Sequence, residues 1–367
     1  MIRYLKMEEK QETLPLYREA FPEDSEQFLE YYYREKGKDN QILAEKEPFE
    51  GGSRIVSMLH RNPYKLQVRD RIWKSDYIVA VATAEDCRRR GLMRSLLVHM
   101  MGDMYQEGME FCFLMPADRR IYEPFDFAYI YDQPHWTLTE EAGKRMNLRR
   151  WNEKEGEIGE IADWMNQWLK KQYQVFARRT DGYVKRLMME LESENGWLEV
   201  LGEGTLNGKS QKENDKCGLN GLSKRGHDWL GIRCWWGREK TEQRLLYSQE
   251  GYMESAGEPT PAIMARIIHL RNFLKVIGLK KEGALSVRLT VEDRFCREND
   301  GTFLWNIRKD GSELFAWETG MTAEKTLDMK ISELTQWLFG YGNGTYKTEP
   351  WMERIQVLER VFLDEVV

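Results

Sequence analysis

Apolar residues in the first 130 positions fall into a strand pattern followed by a helix pattern. Short runs rich in β-branched and aromatic residues, at positions 41–44, 54–59, 64–68 and 71–84, are separated by turn residues and predict four strands. Six apolar residues then recur at i, i+4, i+5, i+8, i+9 and i+12 from Leu92 to Met104, the stripe of a helix packed on a sheet. A helix signal over 15–33 precedes these elements and a strand over 110–115 follows them. This order predicts an α/β fold.

The remaining two thirds of the chain carry further helix and strand patterns. Apolar faces over 158–169 and 183–191 predict two helices, followed by strands around 197–201 and 228–236. Residues 202–227 between those strands are rich in Gly, Lys, Asn and Ser, which predicts a mobile hairpin insertion; a functional lid is the alternative. Further on, the patterns predict a helix over 262–277, strands around 285–291 and 302–307, a helix over 331–339, and a last helix over 351–362.

The length of 367 residues predicts two or three domains of roughly 150 residues each, and three are expected because the patterns change near 140 and 257. Apolar residues make up 41% of the chain, enough for packed cores. The net charge of -6 argues against a nucleic-acid-binding protein, because neutralising phosphates needs a concentrated basic face. A cationic substrate fits this charge better.

Five cysteines, an odd number without a CxxC pair, indicate neither a disulfide framework nor a metal site, so buried reduced thiols are expected. The first ten residues mix charged and apolar types and lack the apolar stretch of a secretory signal. No apolar run approaches the roughly 18 residues of a membrane span. These observations predict a cytoplasmic protein without a membrane span.

One strand-to-helix junction has the features of a phosphate site. The buried run over 77–83 leads through a polar turn to Arg88, Arg89, Arg90 and Gly91, and the striped helix then begins. The first N–H groups of a helix lack intrahelical partners and lie at the positive end of its dipole. Gly91 allows close approach of the backbone, and the arginines add charge. A solvated basic helix start is the alternative reading. Neither a Walker loop nor a GxGxxG turn is present.

A second fragment, over 113–127, leads from a strand through a turn to Tyr122. Its apolar neighbours could direct the tyrosine hydroxyl into a cleft, or the side chain could simply be part of the core.

Together the two fragments resemble the GNAT superfamily of N-acetyltransferases, whose motif is Arg/Gln-x-x-Gly-x-Gly/Ala. Here it reads Arg88-x-x-Gly91-x-Met93. Over essentially the whole chain the sequence looks like the enhanced intracellular survival (Eis) branch of that superfamily. The segment Ile121-Tyr122-x-x-Phe125-x-Phe127 and the end of the chain, 361–367, also carry this resemblance. Met93 and Asp126 depart from the family pattern, which has a small residue and glycine there.

The resemblance implies an α/β architecture of mixed sheets: tandem GNAT-like domains followed by a sterol-carrier-protein-like α/β domain. The implied boundaries are 1–140 for the catalytic domain, 141–257 for a degenerate second domain and 258–367 for the third. The third domain would supply a short helical tail and the C-terminal carboxylate. A homo-oligomer is expected, since the family tends to assemble through its domains.

The resemblance also implies the cofactor and the site. Acetyl-CoA is the expected cofactor, and its predicted contacts are Val81, Ala82, Thr83, Arg88, Arg89, Arg90, Gly91, Leu92, Met93, Arg94 and Asp118. A substrate amine would attack the thioester directly in a ternary complex. Backbone N–H groups over 81–83 would bind the oxyanion, Tyr122 would protonate the departing thiolate, and the carboxylate of Val367 would attract and orient the amine.

The acceptor could be an aminoglycoside-like small molecule or a protein lysine. Glu23, Asp24 and the tyrosines over 31–33 could line its cleft, although a helix packed on the sheet explains these aromatic residues equally well. Cys87 and Cys112 are weaker candidates for a nucleophile, because neither has a nearby histidine in sequence. The rival function is a lipid or hydrophobic-ligand binding protein that acts through its third domain.

Overall fold

Long antiparallel strands and short helices alternate in the N-terminal segment. The computed structural model describes residues 1–49, 51–151, 155–203, 229–236, 242–248, 251–342 and 346–365. In chain order the strands of this segment are β1 Ile2–Tyr4, β2 Gln41–Phe49, β3 Gly52–Val68, β4 Arg71–Thr83, β5 Phe111–Leu114 and β6 Ala128–Leu138. Its helices are α1 Leu14–Ala20, α2 Glu26–Glu35, α3 Leu92–Gln106 and α4 Arg119–Tyr122.

The elements of the middle segment are α5 Glu140–Arg145, β7 Met146–Arg150, α6 Glu155–Gln172, β8 Val175–Ala177, α7 Asp181–Ser193, β9 Trp197–Glu203, β10 Trp229–Trp236 and β11 Glu242–Ser248. The C-terminal segment contains β12 Met253–Ile267, α8 Leu270–Leu274, β13 Gly278–Leu279, β14 Ala284–Glu292, β15 Gly301–Arg308, β16 Gly311–Ala316, β17 Lys325–Lys330, α9 Ile331–Leu338, β18 Ile355–Gln356 and β19 Val361–Phe362. The predicted α/β class is confirmed.

The chain divides into two compact units. The first combines Met1–Gln133, Leu169–Arg178 and Thr260–Val367; the second combines Pro134–Trp168 and Arg179–Pro259. The first unit thus draws on all three predicted domains. The boundaries near 140 and 257 stay a prediction.

A nine-stranded sheet forms the centre of the first unit. Its strand order is β1-β2-β3-β4-β5-β12-β6, and β8 pairs with β3 while β19 pairs with β8. β12 runs antiparallel to β5, with Met264 opposite Leu114. The prediction of a helix over 262–277 is therefore wrong at its start. Residues 262–268 are all buried, and an apolar run buried on both faces does not reveal its type by periodicity. Only α8 corresponds to the predicted helix.

β3 continues through a predicted break at Asn62-Pro63. Pairing with β2 ends at Arg61 and pairing with β8 starts at Leu66. Pro63 therefore lies where this side of β3 has no strand neighbour among the described residues, so its missing N–H breaks no ladder bond there.

The predicted stripe of α3 is confirmed. Five of its residues, Leu96, Leu97, Met100, Met101 and Met104, are completely buried against the sheet. Arg61, itself buried on β3, fixes the C-terminal end of the helix: its Nη2 donates to Glu107 Oε2 at 2.6 Å and its Nε to Asp76 Oδ2 at 2.7 Å. The C-terminal end of α3 thereby has a defined position relative to β4.

The second unit contains a four-stranded antiparallel sheet of order β11-β10-β9-β7. The predicted helical faces are found on α6 and α7, and the predicted strands correspond to β9 and β10. Nearly all of the predicted insertion at 202–227 lies outside the described residues, at 204–228.

A second four-stranded sheet in the first unit has the order β16-β15-β14-β17, with β14 and β17 parallel. The predicted strands and the helix over 331–339 are confirmed as β14, β15 and α9. The prediction of a last helix over 351–362 is wrong. A 3-10 turn at Pro350–Arg354 is followed by β18 and β19, because these apolar residues pair with other strands. None of the helices that the structure describes is long and apolar enough to cross a membrane.

Candidate active site

β4 and β5 part after a single parallel pair, in which Tyr77 lies opposite Phe113. Over residues 78–83 β4 pairs with β3 alone in the described part of the chain. Carbonyl and N–H groups alternate in direction along a strand, so some of those on 78–83 face the space between the two parted strands. This space is the candidate site.

A bulge in β4 lies beside this space. The register with β3 shifts between Met58 and His60, and Ala80 has a left-handed φ of 51°. A bulge inserts one residue and redirects the strand beyond it. Val81 consequently packs against the core cluster beneath α3, and Ala82 is buried.

The strand leads into the N-terminus of α3 through a turn that requires glycine. Gly91 is the N-cap of α3 with φ 81° and ψ 10°, a conformation that other residues adopt at a cost. A Cβ added there would have no protein atom within 4 Å, so space above the helix start is open. Ser95 N bonds back to the Gly91 carbonyl at 3.0 Å. The N–H groups before it, in the first turn, have no i−4 partner within the helix.

The three predicted arginines differ in the contacts that their side chains make. Arg90 forms an ion pair with Glu47 on β2, and its Nη1 is 3.3 Å from the Cys87 sulfur. The Arg88 Nε donates to the Thr83 carbonyl at 3.4 Å. Arg89 is exposed, and within the described ranges its side chain has no hydrogen bond or ion pair. Arg89 is therefore the arginine most available to an incoming anion. Sequence reasoning missed Glu47, because the ion pair joins residues 43 positions apart.

Tyr122 is the last residue of the four-residue helix α4. Its ring packs on the core cluster beneath α3 and lies edge-on to Phe127, with centroids 6.0 Å apart. Burial raises the pKa of Tyr122 to about 12. No group in the described part of the chain hydrogen-bonds the hydroxyl, which leaves it available to a ligand.

Asp118 caps α4. Its carboxylate accepts a hydrogen bond from Arg120 N at 2.9 Å and forms an ion pair with the Arg120 side chain, which lowers the pKa of Asp118 to about 2. This arrangement orients the turn that carries Tyr122. A direct contact of Asp118 with the cofactor stays a prediction.

Asp126 forms the turn after Tyr122 although the family pattern has glycine there. It adopts the left-handed conformation, with φ 61° and ψ 24°, which Asp tolerates better than most residues. The buried carboxylate is 3.1 Å from Arg294 Nη2. A partner 168 positions away helps hold a conformation that glycine adopts without strain.

The C-terminal chain joins the same sheet. β19 runs parallel to β8, and β8 runs antiparallel to β3. Because β4 is also antiparallel to β3, the last strand runs parallel to β4. The side chains of Asp364 and Glu365 after it are buried. Val366 and Val367 lie outside the described residues, and with them the predicted carboxylate.

The tyrosines over 31–33 are part of the core. Tyr31, Tyr32 and Tyr33 are 2%, 0% and 8% exposed, and Tyr32 stacks on buried His60. Packing of α2 on the sheet therefore accounts for them. Burial raises the pKa of Cys112 to about 12, so this thiol stays protonated near neutrality, as a structural cysteine does.

Two regions of the chain match models of known protein families. Residues 1–130 match the family model of the acetyltransferase (GNAT) domain, and residues 266–359 match that of the sterol carrier protein domain. The chain contains a GNAT-type N-acetyltransferase domain and a sterol carrier protein domain. The strand splay, the bulge and the glycine-capped α3 all lie within its GNAT domain, and the second four-stranded sheet lies within its sterol carrier protein domain. A comparison with curated protein sequences finds no match.

Solved structures share the fold of the acetyltransferase over its full length. A conserved protein of unknown function from Enterococcus faecalis V583, a probable N-acyltransferase, is 13% identical with a TM-score of 0.71, covering 100% of this chain and 99% of that one. Eis1 from Mycobacterium abscessus is 10% identical with a TM-score of 0.65, at 100% and 99% coverage. A GCN5-related N-acetyltransferase from Anabaena variabilis is 15% identical with a TM-score of 0.65, at 97% and 94% coverage. The Eis-like resemblance is confirmed as a likeness of fold.

Proposed function

We propose that the acetyltransferase moves the acetyl group of acetyl-CoA to a primary amine of a cationic acceptor, by direct attack in a ternary complex. One observation carries this proposal: the open space between β4 and β5 is bordered by the N-terminus of α3, which begins at a left-handed glycine. GNAT acetyltransferases in general use acetyl-CoA, and the residues at this junction suit its pyrophosphate.

The first turn of α3 would bind that pyrophosphate. Its N–H groups and the helix dipole favour an anion, and the open space at Gly91 admits one close to the backbone. Arg89 would add a guanidinium that has no other bond among the described residues. Arg90 is the weaker candidate, because Glu47 already neutralises it.

The thioester would lie along the end of β4. N–H groups over 81–83 are fixed by the sheet, so they need no rearrangement to stabilise an oxyanion. The amine would attack the carbonyl carbon in its neutral form, and the tetrahedral intermediate would lose the nitrogen proton to water. The C–S bond would then break with the electron pair leaving on sulfur, which takes up a proton as free thiol.

Tyr122 would donate to that sulfur. With a pKa of about 12 its hydroxyl is fully protonated near neutrality. Complete transfer to a thiolate whose conjugate acid has a pKa near 8.5 is uphill by roughly 5 kcal/mol. The hydroxyl therefore acts first as a hydrogen-bond donor that stabilises charge as it develops on sulfur.

The carboxylate of Val367 would attract and orient the acceptor. Val367 lies five positions after Phe362, and an extended chain over five positions spans about 17 Å. Phe362 pairs with Phe176 on β8, which pairs with Gln67 on β3. Asn62 lies five positions before Gln67 on β3 and pairs with Tyr77, where β4 and β5 part. An extended tail would thus reach the level of the candidate site. With a reference pKa near 3.5, the carboxylate is an anchor for a cation rather than a strong base.

A thiol-release assay with acetyl-CoA and a panel of amines tests this function. Aminoglycoside-like polyamines and lysine peptides should both be included, since they need the same chemistry and differ in the width of their cleft. Release that depends on the amine supports the proposal. Saturation with acetyl-CoA that neither raises the melting temperature nor releases thiol with any amine would overturn it.

The sterol carrier protein domain supports one alternative, a lipid-binding protein. Its core side chains Leu289, Trp305 and Ile307 are at most 1% exposed, and the Trp305 Nε1 donates to Ser312 Oγ at 2.7 Å. A core filled in this way favours a scaffold role. Stabilisation by fatty acids in the absence of any effect of acetyl-CoA would favour the lipid carrier.

A further inference from the structure

Two arginines from the C-terminal segment hold the turn that follows Tyr122. The Nε of Arg266, on β12, donates to the Phe125 carbonyl at 3.0 Å. The Nη2 of Arg294, which follows β14, donates to the Pro124 carbonyl at 3.1 Å and to Asp126 Oδ1 at 3.1 Å. We refer to Arg266 and Arg294 as the arginine clamp. Three consecutive residues, beginning two positions after the predicted proton donor, are thereby bound to the C-terminal segment.

The buried half of the clamp is itself fixed. Arg266 and Asp293 are 0% exposed in their side chains and form an ion pair. The Asp293 carboxylate also accepts hydrogen bonds from Cys296 N and from Asn299 Nδ2, each at 3.0 Å. A buried charge with all these partners has one preferred arrangement, since any other leaves a charge unpaired away from water.

The same segment contacts the helix of the cofactor site. Phe295, between the clamp residue Arg294 and Cys296, has its ring 5.6 Å from that of Phe125. The guanidinium of Arg94, in the first turn of α3, lies 5.3 Å from the Phe295 ring centroid. Phe295 therefore touches both the Tyr122 turn and the helix start.

We propose that the arginine clamp and Phe295 are positioning residues, which set Tyr122 relative to the first turn of α3 and so make transfer depend on the sterol carrier protein domain. The inference rests on the proposed role of Tyr122. Effective proton donation needs the donor within hydrogen-bond reach of the sulfur, and a misplacement of about 1 Å can cost up to ~10²-fold in rate. A four-residue helix and a single turn cannot supply that precision by themselves.

Arg294 is the residue to change, because its side chain is 57% exposed and is not itself part of the core. Arg294→Ala should lower kcat about tenfold with the KM for acetyl-CoA changed less than twofold. The matched control is Arg297→Ala. This exposed arginine lies on the same segment, and in the described part of the chain its side chain has no hydrogen bond or ion pair. It should keep the parent kcat.

Asp126 provides the conservative rescue. Asp126→Asn keeps an oxygen acceptor for Arg294 and a residue type that tolerates φ 61°. Asp126→Ala keeps neither. The Asn variant should retain most of the parent kcat, whereas the Ala variant should lose about as much as Arg294→Ala.

The decisive comparison adds Arg294→Ala to Tyr122→Phe. If the clamp acts through the tyrosine, the double variant should have the kcat of Tyr122→Phe alone, and amide hydrogen exchange of residues 119–127 should be faster in Arg294→Ala than in the parent. An unchanged kcat and unchanged exchange in Arg294→Ala would overturn the clamp and leave the proposed function standing. A full further tenfold loss in the double variant would show that the clamp does not act through Tyr122. Full activity of Tyr122→Phe alone would instead remove the proton donor.

Discussion

Gly91 and Asp126 adopt the same left-handed conformation for different reasons. Gly91 begins a helix with open space above it, and its φ of 81° needs a residue without a Cβ. The sequence predicts a helix start at Gly91, because this glycine lies between a strand pattern and an apolar stripe. Asp126 depends on Arg294, which is 168 positions away. No local pattern reveals such a partner, so the sequence left this turn open.

Replacement of Gly91 by alanine should weaken acetyl-CoA binding. The left-handed φ costs a non-glycine residue roughly 1–2 kcal/mol, and the new methyl group would extend into the space above the helix start. We expect about a tenfold rise in the dissociation constant, measured by calorimetry. Gly102→Ala, on the same helix and equally free of neighbours, is the control. It should be neutral or stabilising by up to ~1 kcal/mol, with affinity unchanged. Equal affinity in both variants would argue against binding at Gly91.

Tyr122→Phe should lower kcat by about 10² to 10⁴-fold, the usual contribution of a general acid. The hydroxyl has no hydrogen bond to described residues, so its removal should change the free energy of unfolding by less than ~0.5 kcal/mol. Steady-state kinetics and denaturant titration measure the two quantities on one sample. A parent-like kcat would reassign the donor.

The same pair of proteins makes a prediction about pH. The pKa of Tyr122 is about 12 in the folded protein, and about 10 is expected for the unfolded chain. The folded state therefore holds this proton more tightly, and the resulting stability is fully present below pH 10 and is lost as pH rises to 12. The parent should lose about 1–2 kcal/mol relative to Tyr122→Phe over that interval. If the free energies of unfolding of the parent and Tyr122→Phe change equally with pH, the Tyr122 phenol is exposed to water in the folded protein.

At the scale of elements, periodicity succeeded where one face of an element is buried. The stripe of α3 predicts both its type and its buried residues, because its opposite face is polar. Periodicity failed to predict β12, which is buried on both sides, and the C-terminal tail. The apolar spacing over 351–362 resembles a helix, yet β19 forms because Val361 and Phe362 find strand partners in β8. Such pairing is non-local and outweighs local propensity.

The start of α3 permits a comparison of two arginines that the sequence treats alike. Arg89→Ala should weaken acetyl-CoA binding about fivefold to tenfold, as expected for loss of a charge-assisted hydrogen bond. Arg90→Ala should have a smaller effect, because the ion pair with Glu47 already occupies that guanidinium. Glu47→Gln tests the reason directly: release of Arg90 should strengthen binding, and more so at low ionic strength. A larger loss in Arg90→Ala than in Arg89→Ala would contradict this order.

At the scale of the whole molecule, the nine-stranded sheet is assembled from distant parts of the sequence. Strands β8, β12 and β19 join a sheet whose other members lie within the first 138 residues. A sequence read in consecutive segments suggests three successive domains, but the first unit combines three separate stretches of chain. The resemblance to the Eis branch supplied the expectation that both ends of the chain serve one site, which stays a prediction because Val367 lies outside the described residues.

Extension of the C-terminus tests that dependence on the whole chain. A few residues appended after Val367 would move the carboxylate away from the level of Tyr77, and transfer should then fall by at least ~10²-fold. Affinity for acetyl-CoA and the melting temperature should stay near the parent values, because β19 ends five residues earlier. The same residues placed before Met1, which is 88% exposed, are the matched control and should leave kcat unchanged. A C-terminally extended enzyme with full activity would exclude the carboxylate from catalysis, and the acceptor would then have to be oriented by side chains of the cleft.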